Sequence, residues 1–162
     1  MRRVFIWGLA IDSPTNSPIV ILKEVEGERR LPIWIGLLEA RAIASELEGV
    51  KHSRPMTHDL FKSIIKKIDV EIKRIEVCDL KNNTYFALII IQNEGKEIKI
   101  DARPSDAIAL SLRVGAPIFI ADEVFNKAQQ INFQSEPEDK SEKGKEWQKI
   151  LEKMDPDDFG NT

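Results

Sequence analysis

The stretch from Asp101 to Ile108 brings more reactive side chains next to apolar neighbours than any other part of the chain. Hydrolysis of a phosphodiester can use a divalent metal on carboxylates, a cation that clamps the phosphate and a base. Asp101 and Asp106 could hold such a metal. Arg103 offers the planar fork that matches a phosphate, and Ser105 opens a helix whose free N–H groups attract anions. A structural corner is the alternative, with Ser105 and Asp106 capping the helix and Arg103 paired with Asp101.

His58 and Asp59 begin a second predicted helix and could also take part in chemistry. A histidine in a first turn can serve as a general base or a metal ligand. Neighbouring helical residues point about 100° apart, so His58 and Asp59 are not expected to act as one dyad. A partner for His58 would come from elsewhere, such as Asp101 or Asp106. The alternative is an exposed or structural histidine.

Residues 31–40 change from a strand pattern to a helix pattern at Gly36. In one interpretation Trp34 packs in the core and Glu39 complements the positive end of the helix dipole. In the other, this segment forms a wall of a cleft and Glu39 supplies a further carboxylate.

The charge distribution excludes a protein that coats DNA. The 162-residue chain has a net charge of -3. From residue 135 onward nine acids face five lysines, a balance of -4, so the remaining 19 bases and 18 acids leave the first 134 residues at +1. Any contact with nucleic acid must therefore be local.

The composition also limits the compartment and the kinds of site. One cysteine permits neither an internal disulfide nor a four-cysteine zinc site, which favours a reducing cytoplasm. No apolar run approaches the roughly 18–20 residues of a membrane span, so no membrane partner is expected.

Hydrophobic periodicity predicts an α+β fold, with a mixed, largely antiparallel sheet and about three helices. The helices are expected at 37–47, 57–68 and 106–114, with a helical turn at 122–127. Thr57 is expected to cap the second helix. Its apolar residues are expected to form one buried stripe; they are Leu60, Phe61, Ile64, Ile65 and Ile68.

Three segments are predicted along the chain. Residues 1–133 form the folded domain, residues 134–146 a charged linker, and residues 147–162 a short amphipathic helix with a tail. We expect this last helix to dock on the domain or on a second subunit.

Four motifs occur in the order typical of one protein family. They are Leu31-Pro32-Ile33-Trp34-Ile35-Gly36, Arg54-Pro55-Met56-Thr57-His58-Asp59-Leu60, Asp101-Ala102-Arg103-Pro104-Ser105-Asp106-Ala107-Ile108 and Gly115-Ala116-Pro117-Ile118. With them the chain resembles the bifunctional nuclease domain family over roughly residues 1–130. The resemblance implies an α+β domain that self-associates, and a DNase and RNase activity like that ascribed to plant members.

The resemblance and the residues together lead to one main hypothesis. It is a metal-assisted nuclease that acts on DNA and RNA with little sequence preference, as a homo-oligomer, of which a dimer is the favoured form. In it Mg²⁺ or Mn²⁺ is bound by Asp101 and Asp106, with Asp59 or Glu39. Arg103 and Ser105 bind the phosphate, and His58 moves a proton. The alternative is a non-catalytic oligomeric module that binds a small anionic ligand or a protein partner.

Overall fold

A seven-stranded sheet organises the protein in the computed structural model, which describes residues 1–134. The strand order is β3-β2-β1-β7-β4-β5-β6, and every pairing is antiparallel except that of β4 with β7. The strands are β1 (Arg2–Asp12), β2 (Ser17–Glu24), β3 (Arg30–Trp34), β4 (Glu71–Lys81), β5 (Thr84–Asn93), β6 (Lys96–Ala102) and β7 (Ile118–Ile120). The predicted α+β class and the mixed, mostly antiparallel sheet are confirmed.

Four helices accompany the sheet in the described part: α1 (Leu37–Leu47), α2 (Thr57–Lys67), α3 (Pro104–Val114) and α4 (Asp122–Gln134). The predicted turn at 122–127 is therefore a longer helix. The predicted linker, apart from its first residue, and the predicted C-terminal helix lie outside the described residues.

The central helix is α3, which contacts α1, α2, β4 and β5. Its residues Ala107, Ile108 and Ala109 are completely buried in the main core. Full burial of one such aliphatic side chain stabilises a fold by about 1.5–3 kcal/mol. The helix ends at Gly115, whose φ of 72° is the left-handed conformation that a glycine adopts without strain. The residues that precede α3 are thus held on a well-packed support.

The sheet curls so that its two ends approach each other. The Tyr85 hydroxyl on β5 donates a hydrogen bond to the Pro32 carbonyl on β3 at 3.3 Å. In strand order β3 is one edge of the sheet, and β5 is next to the opposite edge. The curl brings the starts of α1 and α3 to the gap between these ends.

Two local predictions are wrong. The N-cap of α2 is Met56 rather than Thr57, and its backbone N–H donates to Asp59 Oδ2 at 3.0 Å. The N-cap of α3 is Arg103 rather than Ser105, because Pro104 takes the first helical position, where its missing N–H costs nothing.

The predicted buried stripe of α2 is also wrong. Only Ile65 is buried, while the other four apolar residues are between 43% and 63% exposed; they are Leu60, Phe61, Ile64 and Ile68. The 3.6-residue period correctly identifies an amphipathic helix. It does not say what covers the apolar side, and no described residue does. None of the described helices is long and apolar enough to cross a membrane.

Candidate functional site

The first turns of three helices each contribute one side chain to a single cluster. Glu39 comes from α1, His58 from α2 and Asp106 from α3. His58 Nε2 lies 3.0 Å from Asp106 Oδ1. Arg103, the residue that caps α3, donates from Nε to Asp106 Oδ2 at 2.8 Å, and its Nη1 lies 2.8 Å from Glu39 Oε1. We call these four residues the Asp106 cluster.

Asp106 connects the histidine and the arginine of the cluster because one of its oxygens faces each. A carboxylate against Nε2 selects the tautomer that carries a proton there, which leaves Nδ1 as the basic nitrogen of His58. The carboxylates of Asp106 and Glu39 raise the pKa of Arg103. Arg103 is therefore a permanent cation, and its side chain is 66% exposed. The cluster thus combines a group that can move a proton with one that can bind an anion.

Asp59 lies next to His58 in sequence but has a different partner. Its Oδ1 accepts a hydrogen bond from Arg113 Nε at 2.7 Å. Burial raises the pKa of Asp59, but hydrogen bonds from Arg113 and the Met56 N–H outweigh it, and the pKa is lowered. Adjacent positions on α2 thus point to different partners, as the helical geometry predicts.

Arg113 is a buried residue that the sequence analysis did not identify. Its side chain is 3% exposed and also donates to the carbonyls of Ala109 at 2.8 Å and Ala42 at 3.0 Å. It therefore joins α1, α2 and α3. An arginine in the last turn of α3, after a mostly apolar run, is the only signal that the sequence offers for this role.

Asp101 does not join the Asp106 cluster. On β6, Ala102 and Ile100 pair with Ala87 and Ile89, which belong to the main core on the helix side of the sheet. Successive side chains on a strand point to opposite faces, so Asp101 projects to the other face. There, after the larger effect of burial, its charge contributes to raising the pKa of the Cys78 thiol.

The carboxylates expected to bind a metal do not form a suitable set of ligands as they stand. Within residues 1–134 no three His, Cys, Asp or Glu side chains are arranged to hold a metal ion. Asp106, Glu39 and Asp59 are each in an ion pair with an arginine, and Asp101 lies across the sheet. Metal binding stays a prediction from the sequence.

A cleft of about 370 Å³ lies beside Arg103, at the gap between the two ends of the curled sheet. Its lining comes from the end of β3, the starts of α1 and α3, and the turn into β5. The residues are Ser17, Ile33, Trp34, Ile35, Gly36, Asn83, Thr84, Tyr85, Arg103, Pro104 and Ser105. Burial raises the pKa of Tyr85 to about 12, so the phenol is neutral and acts as a hydrogen-bond donor to Pro32. Two interpretations were given for residues 31–40. For Trp34 the second is correct: the side chain is half exposed and forms part of the cleft wall instead of packing in the core.

The comparisons with known proteins agree with the motifs. An uncharacterized protein of Mycobacterium tuberculosis is 36% identical over 167 residues, across the whole length of both chains. Bifunctional nuclease 1 of Oryza sativa subsp. japonica is 24% identical over 66% of this chain and 33% of its own length. Bifunctional nuclease 1 of Arabidopsis thaliana is 27% identical over 62% of this chain and 32% of its own.

The model of the bifunctional nuclease domain matches residues 20–132. This range covers most of the chain and contains all four residues of the Asp106 cluster and ten of the eleven that line the cleft. The chain therefore belongs to the bifunctional nuclease domain family.

Proposed function

We propose that this protein is a nuclease that hydrolyses phosphodiester bonds in DNA and RNA with little sequence preference. The observation that carries the proposal is Asp106, whose carboxylate joins a histidine to an exposed arginine. Membership of the family and the similarity to the plant bifunctional nucleases support the same reaction class. The near-neutral charge of residues 1–134 suits a local contact with the sugar–phosphate backbone rather than an extended one.

In the proposed reaction His58 Nδ1 accepts a proton from a water molecule as its oxygen forms a bond to phosphorus. Asp106 holds the ring and stabilises the imidazolium that forms. Arg103 offsets the charge that develops on the non-bridging phosphate oxygens. The P–O ester bond breaks, and the leaving oxygen takes a proton from the imidazolium or from water. Ser105 borders the same cleft and could donate its hydroxyl to the phosphate.

Metal assistance by Mg²⁺ or Mn²⁺ stays part of the proposal only as a prediction. Asp106, Glu39 and Asp59 are each paired with an arginine, so a metal would require some of them to exchange partners. An assay with and without a chelator tests this requirement directly.

The alternative is a non-catalytic oligomeric module that binds a small anion or a protein. Two observations favour it: each carboxylate of the Asp106 cluster already has a partner, and the apolar side of α2 is exposed.

We further propose that the protein is cytoplasmic, since its one thiol is free. We also propose that it forms a homo-oligomer in which a second copy covers the apolar side of α2.

Cleavage of supercoiled plasmid and single-stranded RNA tests the proposal, with Mg²⁺, Mn²⁺ or EDTA present. The variant Asp106→Asn keeps the shape of the side chain but removes the charge that supports His58 and Arg103, so we expect cleavage to fall at least about 100-fold. Asp101→Asn is the matched control, because it removes the same charge five residues away on the opposite face of the sheet. We expect it to cleave like the wild type.

Each result has a distinct meaning. Equal cleavage by all three proteins would contradict the proposed site, and no cleavage by the wild type would favour the binding module. Loss of cleavage in both Asp106→Asn and Asp101→Asn would favour the carboxylate pair expected from the sequence. Loss of wild-type cleavage in EDTA would establish the metal requirement.

A further inference from the structure

The lining of the cleft beside Arg103 suits a ligand that is anionic at one end and aromatic at the other. Its eleven residues include one permanent cation, Arg103, and no carboxylate. They also include two aromatic residues, Trp34 and Tyr85. The volume of about 370 Å³ is within the range of roughly 300–1,000 Å³ that is usual for small-ligand sites. A nucleotide unit has this combination of properties.

The anionic end of the cleft is defined by the start of α3 and two side chains. At Arg103, the N-cap of α3, there is no side-chain cap, so first-turn N–H groups remain free. The start of α1 does not contribute, because the Glu39 carboxylate lies against Gly36. Arg103 uses its Nε and one N–H of Nη1 for Asp106 and Glu39. Its remaining N–H groups have no acceptor among the described residues.

Ser105 adds an unpaired hydroxyl to this end. The residue is only 6% exposed, and its hydroxyl has no hydrogen-bond partner in the described part of the chain. Every fully buried side-chain oxygen or nitrogen in that part does have a partner. The Ser105 hydroxyl must therefore reach solvent, and the solvent that the residue borders is the cleft.

The aromatic end of the cleft is Trp34, at the end of β3. The side chain is 50% exposed, which is unusual for so large an apolar group. Its Nε1 donates to Asp12 Oδ2 at 3.3 Å, and Asp12 is itself 94% buried and accepts a hydrogen bond from Thr15. The indole is thus exposed to solvent yet tethered at one end, a suitable platform for a nucleobase.

We propose that this cleft binds one nucleotide unit of a single-stranded nucleic acid, with its base stacked on Trp34 and its phosphate at Arg103 and Ser105. A base inside a duplex is already stacked on both faces and paired, so it cannot reach the indole without being extruded. Single strands and unpaired regions are therefore the substrate class. The proposal rests on the proposed function for the identity of the ligand, but binding itself requires no cleavage.

Fluorescence anisotropy of a labelled single-stranded oligonucleotide and of the matching blunt duplex tests the proposal, in EDTA and at low salt. We expect the wild type to bind the single strand more tightly, and Trp34→Ala to weaken that binding about tenfold or more. Trp34→Phe retains an aromatic face without the hydrogen bond to Asp12, so it should bind the single strand more tightly than Trp34→Ala and nearly as tightly as the wild type. Trp7→Phe changes a tryptophan outside the cleft and is expected to bind like the wild type.

Equal binding of the single strand and the duplex, no binding of either, or unchanged binding by Trp34→Ala would overturn the proposal. Circular dichroism spectra of the variants would show whether each is folded. Plasmid cleavage with the same proteins separates this inference from the proposed function. If the protein cleaves and its binding does not depend on Trp34, the proposed nuclease function is supported and the nucleotide cleft is refuted. If single-strand binding depends on Trp34 but nothing is cleaved, the cleft is supported and the nuclease function is refuted.

Discussion

Replacing Arg113 by methionine should destabilise the protein far more than the same replacement at Arg103. The Arg113 side chain is 3% exposed and donates hydrogen bonds to Asp59, Ala42 and Ala109, whereas Arg103 is 66% exposed. Removing one partner of a fully buried ion pair costs about 3–5 kcal/mol, because the other charge is left without compensation. Asp59 is 33% exposed, so water would hydrate part of its charge and the cost should be smaller, about 2–3 kcal/mol. Exposed pairs are worth about 0–1 kcal/mol. The two arginines belong to the same helix and its cap, so they form a matched pair.

Urea denaturation followed by circular dichroism measures the difference. We expect Arg113→Met to lower the free energy of unfolding by about 2–3 kcal/mol, a substantial part of the roughly 5–15 kcal/mol of a typical domain. Arg103→Met should lower it by about 1 kcal/mol or less. The double variant Asp59→Asn/Arg113→Met should be at least as stable as Arg113→Met, because it no longer contains the uncompensated carboxylate.

A difference between the two arginine variants of less than about 1 kcal/mol would refute the reasoning. It would mean that water replaces the hydrogen bonds of Arg113 at little cost. A double variant less stable than Arg113→Met would also contradict it, since Asp59 would then stabilise the fold through something other than Arg113.

Two further predictions concern pH and self-association. The folded-state pKa of Asp59 is lowered, so its contribution to stability is present above the unfolded pKa of about 4 and is lost as the pH falls through the folded value. Urea titrations should therefore show the wild type losing its advantage over Asp59→Asn in acid, and an advantage independent of pH would contradict the assignment. If the exposed side of α2 is the contact between copies, Leu60→Glu/Ile64→Glu should be a monomer by light scattering while the wild type is not. A monomeric wild type would contradict this.

Patterns within a few residues were sufficient to predict most of the secondary structure. The helix that ends at Gly115 and the interior position of β5 both follow from local chemistry and apolar patterning. The position of Asp101 could also have been inferred. It alternates with Ile98 and Ile100, which are apolar, and strand geometry assigns alternate residues to opposite faces.

The sequence by itself therefore determined the elements, the fold class, the family and the short list of polar residues that could carry chemistry. These properties depend on propensity and on periods of 2 and 3.6 residues, which act over a few positions. The same periods marked α2 as amphipathic, but they carry no information on what lies against its apolar side.

Only the tertiary structure decided which polar residues meet. His58 and Asp106 are 48 positions apart, and Asp59 and Arg113 are 54 apart. These pairings depend on how α1, α2 and α3 pack together. The cleft exists because the sheet curls until Tyr85 reaches Pro32. Such contacts depend on twist and packing summed over the whole sheet, so no local pattern contains them.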